Sequence, residues 1–121
     1  MIIFVSSPYA GNIEENTTAA RRYCRYVVEQ GHTPIAPHLF FPQFLDEDRE
    51  RLLGLQMGLQ LLDFCDEIWV FGVPSSGMMS EIAYAEENGI PSDIKTRYEE
   101  RGTHPGAFYF FTCILVVYDV W

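Results

Sequence analysis

Two polar, glycine-containing stretches of this chain carry residue types that can do chemistry. The first, SSPYAGN, runs from Ser6 to Asn12. It offers the hydroxyls of Ser6 and Ser7, the phenol of Tyr9, and Gly11, beside which backbone can approach a ligand closely. The second, PSSGMMSEIAYA, begins at Pro74, and its Ser75, Ser76 and Gly77 lead into a predicted helix N-terminus. Free N–H groups and the helix dipole favour an anion at such a place. Glu81 falls in or just after the first turn of that helix, where the dipole is expected to help keep it ionised. An ionised carboxylate in a cleft can attack or stabilise C1 of a sugar, or accept hydrogen bonds from ribose hydroxyls. The same letters also fit plainer roles, an ordinary turn before a helix and a solvated helix-start glutamate.

Other chemistries find no support. Neither stretch is a GxGxxG or a Walker loop, so a standard dinucleotide or ATP site is not expected, and no cofactor is implied. His32, His38 and His104 share no ligand spacing, and no HExxH or Cys-His cluster exists, so no metal site is expected. There is no GxSxG elbow for Ser-His-Asp catalysis. His38, just after a predicted strand, is within reach of a cleft, though a structural histidine fits there as well. Glu86-Glu87 and Glu99-Glu100 read as solvated faces.

The elements that must position these residues alternate. Residues 2–5 predict a buried strand and residues 14–30 a helix, with Ala20, Tyr23, Cys24 and Val27 at i, i+3, i+4, i+7 and Gly31 just past its end. A short strand over 33–37 and an ordered loop over 38–45 follow. A second helix is expected over about 46–64, with acid at its start and Leu52, Leu55, Leu59 and Leu62 as its core stripe. Residues 67–72 predict a third strand and 78–88 a third helix ending before Gly89. A weak fourth strand starts at Ile90, a surface excursion covers 95–106, and a closing strand covers 107–118. This order argues for an α/β fold: an open, mostly parallel, flavodoxin-like or Rossmann-like sheet flanked by helices, in a single domain over 1–121. Right-handed crossovers put the strand C-termini on one edge, where such sheets bind ligands, and both polar stretches sit at that edge.

Composition narrows the partners. The 121 residues carry 17 acids against 8 bases, a net charge of −9, which disfavours a nucleic-acid polymer. A small anionic ligand stays open, because backbone N–H groups can hold phosphate unaided. Three isolated cysteines, Cys24, Cys65 and Cys113, fit a reduced compartment, and a cytoplasmic location is expected. Met1 leads straight into apolar residues with no basic stretch, so neither a signal peptide nor a membrane span is expected.

The order strand–SSPYAGN–helix, then GHTPIAPHLFFP, then CDEIWVFGVPSSGMMSEIAYAEENGIP, resembles the nucleoside 2-deoxyribosyltransferase-like family, in its branch of small proteins related to nucleotide N-hydrolases. The likeness covers residues 1–91 and is most specific over 65–91, while 92–121 diverge. The resemblance implies a flavodoxin-like sheet with a site for a nucleoside or nucleotide. It matches Glu81 to the nucleophilic glutamate and Tyr9 to the tyrosine of the first turn. Ser75 falls where the transferases carry aspartate and the N-hydrolases a phosphate-binding serine. The family's further aspartate, on the helix before the third strand, corresponds to Gly58 or its neighbour, and Asp63 is set to point elsewhere.

The reading that results is an N-ribosyl-processing enzyme in which Glu81 attacks or stabilises C1′, Tyr9 orients Glu81 or the sugar, and Ser75 and Ser76 hold a 5′-phosphate. Ser6, Ser7, Gly11, His38 and Gly77 complete the expected binding surface. Two alternatives stand beside it: a non-catalytic nucleotide-binding module, and a small oligomeric interaction protein. A homo-oligomer is expected, since the run from Ala107 to Trp121 exceeds what a closing strand needs.

Overall fold

The structure, a computed structural model, describes residues 1–95. Four parallel strands form its sheet: β1 (Ile2–Ser6), β2 (Thr33–Ile35), β3 (Glu67–Val70) and β4 (Ser92–Ile94), in the order β2-β1-β3-β4. The helices are α1 (Ile13–Glu29), the one-turn α2 (Pro37–Phe40), α3 (Arg51–Leu62) and α4 (Ser76–Glu87), with a 3-10 turn over Phe41–Gln43. This is the open parallel α/β arrangement expected from the alternation of elements. The expected excursion over 95–106, except for Lys95, the closing strand 107–118 and the apolar run to Trp121 lie outside the described residues.

The central strands are apolar on both sides because helices cover both faces. Ile3 and Val5 of β1, with Trp69 and Phe71 after the same alternation, pack on Tyr23 and Val27 of α1. Phe4, with Ile68 and Val70 of β3, packs on Leu62 of α3 and on Met78 and Ala85 of α4. A period of two makes this division, and it assigns Ser6 to the side of Phe4, under α4. Tyr23 and Phe71 stack at 4.4 Å and seal the α1 face.

Local signals set the helix ends. Asn12 caps α1, its Oδ1 accepting from the Glu15 N–H at 3.2 Å. At the far end Gly31 takes a φ of +86°, and the N–H groups of Gly31 and His32 close onto the carbonyls of Val28 and Val27. Gly89 ends α4 in the same way, with Ile90 N–H on Ala85 O.

Three expectations shift. The segment 38–45 is not a plain loop. Pro37 suits the first position of α2, and Pro42, lacking an N–H, stops that helix and passes it into a 3-10 turn. The helix expected from about 46 begins at Arg51. Asp46 turns the chain back on itself first, with Glu50 N–H on Asp46 O at 2.7 Å and Asp46 N–H on Glu50 Oε1 at 3.0 Å. Consequently Leu52 sits in the first turn of α3 at 67% exposure, outside the core, and the buried residues of α3 are Gly58 and Leu62. The third expected helix starts earlier, at Ser76, because Ser75 acts as its N-cap.

β1 and β3 remain paired to their ends, where Phe71 N–H bonds Ser6 O at 2.9 Å. Immediately beyond, Gly72 has a φ of +76°, and a Cβ there would lie 3.2 Å from Pro8 Cδ. Gly72→Ala should therefore cost about 1–2 kcal/mol, from strain at positive φ and from the crowding against Pro8. Urea unfolding of the two proteins checks this, with a lower midpoint expected for the alanine protein.

Candidate functional site

The strand order reverses between β1 and β3. From β1 the chain runs through α1 to β2 on one side, and from β3 through α4 to β4 on the other. A crevice opens at the C-terminal ends of such a pair, between helices leaving in opposite directions. Here it holds a cavity of about 460 Å³. The loop after β1 contributes Ser7 and Tyr9, and α2 contributes Pro37 and His38. Phe41, Leu45, Glu47 and Glu50 come from the connection to α3, and Arg51, Gly54, Leu55 and Gly58 from α3 itself. Ser75, Ser76, Gly77, Ser80 and Glu81 come from the start of α4.

Two consecutive hydroxyls, at the end of β1 and just beyond it, bind two of the titratable groups of this cavity. Ser6, fully buried, donates its hydroxyl to Glu81 Oε1 at 2.8 Å. Ser7 Oγ lies 2.7 Å from His38 Nε2. Ser6 is the last residue of β1 and Ser7 the first beyond it, and their hydroxyls reach different elements, α4 and α2.

Burial moves the two groups in opposite directions, each toward its neutral form. It raises the Glu81 carboxyl from 4.5 to about 7, against the Ser6 hydrogen bond, which lowers it. It lowers His38 from 6.5 to about 4, so the imidazole is neutral at pH 7. The expectation that the helix dipole keeps Glu81 ionised is thus corrected. Glu81 is the sixth residue of α4, beyond the turn where the dipole acts strongly, and burial outweighs what remains of it. The Tyr9 hydroxyl is raised by burial and by the charge of Glu47.

Of the expected site residues, Ser7, Tyr9, His38, Ser75, Ser76, Gly77 and Glu81 come together around the cavity. Ser6 does not reach its surface, because the strand alternation turns it inward beneath Glu81. Gly11 lies apart and exposed, with a φ of +97° just ahead of the α1 cap. The hydrogen bond that orients Glu81 comes from Ser6, and none joins it to Tyr9 among the described residues. Ser75 Oγ is engaged as the N-cap of α4, accepting from Met78 N–H at 3.3 Å. Asp63 points away from the cavity and accepts from the Tyr84 hydroxyl at 2.7 Å. Gly58 does line the wall, and a Cβ there would meet Pro37 at 3.6 Å, an ordinary contact.

Sequence reasoning missed Phe41, Glu47, Glu50 and Arg51. The available signal was topological: the chain leaving β2 must cross the same sheet edge, so its connection to α3 is a natural wall. Among the described residues no group of three or more His, Cys, Asp or Glu side chains is placed to hold a metal ion. No helix among them is long and apolar enough to cross a membrane.

Comparison with known proteins gives two findings. The model of a family described as a domain of unknown function (DUF7768) matches residues 1–95. The solved structure of the 2-deoxyribosyltransferase from the psychrotolerant bacterium Bacillus psychrosaccharolyticus superposes with a TM-score of 0.60 at 17% identity, over 78% of this chain and 71% of that one. At that identity the likeness is one of fold. No curated protein matches the sequence.

The raised Glu81 carboxyl has a consequence for stability. The folded chain binds this proton more tightly than the unfolded chain, so the contribution is complete below about pH 4.5 and is lost as pH rises through about 7. The loss amounts to about 3 kcal/mol. Glu81→Gln cannot ionise, so its stability relative to the parent should rise by about 2–3 kcal/mol between roughly pH 5 and pH 8. Urea midpoints of both proteins at the two pH values test this. A stability difference that stays constant with pH would contradict it.

Proposed function

The chain belongs to the DUF7768 family, and from that premise we propose that it is an N-ribosyl-processing enzyme acting on the N-glycosidic bond of a nucleoside or nucleotide. The observation that carries this reading is Glu81, a carboxyl held by the buried Ser6 hydroxyl at the wall of a cavity at the sheet's switch point. A volume of about 460 Å³ suits a ligand of nucleoside size. The shared fold with a 2-deoxyribosyltransferase supports the same reaction class.

In the proposed reaction an ionised Glu81 oxygen bonds to C1′ as the C1′–N bond breaks, and the bond's electron pair leaves with the base. A proton reaches the departing nitrogen from water or from a cavity group, Tyr9 and Glu47 being neighbours there. Water then attacks C1′ of the glycosyl ester, releases the sugar and restores Glu81, losing its proton to solvent. A second base in place of water would give transfer. Serine at 75 favours hydrolysis of a nucleotide, with the α4 N-terminus and the hydroxyls of Ser75 and Ser76 receiving the 5′-phosphate. Ser7, backed by neutral His38, is placed to bond a sugar hydroxyl.

One observation favours a second reading, a nucleotide-binding module without turnover. Gly58 occupies the cavity wall with no side chain where the transferase-like pattern carries an acid.

The test is incubation with a panel of nucleosides and 5′-monophosphates, following free base by chromatography. Release by the parent and its loss by at least about a hundredfold in Glu81→Gln, with ligand affinity largely kept, is the expected result. Binding without release would move the protein to the second reading. Calorimetry adds the phosphate question: Ser75→Ala should weaken a 5′-monophosphate about tenfold to a hundredfold and leave the bare nucleoside nearly unchanged.

A further inference from the structure

We propose that Ser6 is the positioning residue of Glu81, holding Oε1 so that Oε2 alone is presented to a ligand in the cavity. The proposal rests on the reading of Glu81 as the reacting carboxylate. Ser6 stands on the face of the sheet where Phe4, Ile68 and Val70 are apolar and fully packed. A hydroxyl at such a place is costly to bury unless it is bonded. Its hydroxyl goes to Glu81 Oε1 at 2.8 Å. No buried side-chain nitrogen or oxygen among the described residues lacks a partner. Oε2 of Glu81 has none there, so Oε2 is the oxygen in contact with the open cavity that Glu81 lines.

The backbone fixes the donor. Ser6 pairs with Val70 in the β1–β3 ladder, and its carbonyl accepts from Phe71 N–H at 2.9 Å. A serine hydroxyl has one proton to give. Given to Oε1, it stabilises the anion and disfavours a second proton on that oxygen. A proton taken up by Glu81, and a bond formed from it to carbon, are both directed to Oε2. Ser6 thus limits the rise that burial imposes on the carboxyl and selects its reacting atom.

The charged and titratable groups that share the cavity with Glu81 are Tyr9 from the loop after β1, His38 from α2, Glu47 and Glu50 from the connection into α3, and Arg51 at the start of α3. His38 is lowered to about 4 by burial, and the Tyr9 hydroxyl is raised by burial and by the charge of Glu47.

Protein labelled with 13C at the glutamate carboxyl and titrated by NMR reads Glu81 without substrate, the resonance missing from Glu81→Gln giving the assignment. The parent midpoint is expected near 7. Ser6→Ala should move it up by about one pH unit, a tenfold tighter proton, and Ser6→Thr, which keeps the donor, should return it to within about 0.3 of the parent. An unchanged midpoint in a folded Ser6→Ala protein overturns the proposal, as does a threonine protein that behaves like alanine. If the alanine protein does not fold, Ser6→Cys, a weaker donor of similar size, carries the comparison, and no upward movement there overturns it. Where base release is measurable, Ser6→Ala should lower kcat about tenfold with KM little changed and should move the pH profile upward with the carboxyl. Absence of base release from every nucleoside would remove the enzyme reading while leaving the titration result intact, so the two failures are distinguishable.

Discussion

The site depends on the last turn of alternation in β1. Ser6 ends the strand with its hydroxyl turned under α4, and Ser7, the next residue, sends its hydroxyl toward α2. Each finds a group that cannot be buried alone, a carboxyl and an imidazole. These two hydrogen bonds join elements that are distant in sequence, 75 residues apart for Ser6 and Glu81 and 31 apart for Ser7 and His38. Through them a carboxyl and an imidazole of the cavity are anchored to the end of a central strand of the sheet.

The electrostatic state of the cavity follows from the same burial. Low polarity disfavours whichever form is charged, so it raises an acid and lowers a base. Glu81 and His38 are both driven toward neutrality, although the protein as a whole carries a net charge of −9. The Ser6 hydroxyl is the counterweight: it favours the anion of Glu81 and keeps the carboxylate accessible near neutral pH. A carboxyl near 7 can take up or release a proton near neutral pH.

The outer wall is built differently. Pro37 and Pro42 shape α2 and the 3-10 turn into an apolar strap beside α3, whose glycines leave room for no more than an ordinary contact with it. A Cβ at Gly54 would lie 3.4 Å from Leu45, and one at Gly58 3.6 Å from Pro37. Gly72, beyond the end of β3, is the crowded one: a Cβ there would lie 3.2 Å from Pro8 Cδ. Phe40 and Phe44, more than half exposed, continue the apolar strap outward, their rings 5.1 Å apart.

Much of this was legible in the residues themselves. Apolar runs over 2–5 and 67–72, the i, i+3, i+4, i+7 stripe of α1, and Gly31 and Gly89 at helix ends are local signals, and the parallel α/β order follows from their alternation. Seven expected site residues meet around the cavity, because topology alone brings the loops after β1 and β3 to one edge. The start of α3 was misjudged because Asp46 and Glu50 bond backbone groups in a turn that uses the same acids a helix start would. That Ser6 turns inward while Ser7 faces the cavity, that Glu81 answers to Ser6 rather than Tyr9, and that burial overrides the helix dipole were decided only by tertiary structure. Secondary structure is written in nearest-neighbour preferences, which a sequence displays. Orientation and proton affinity at the site depend on which distant side chains share a buried space, and only the packed fold determines that.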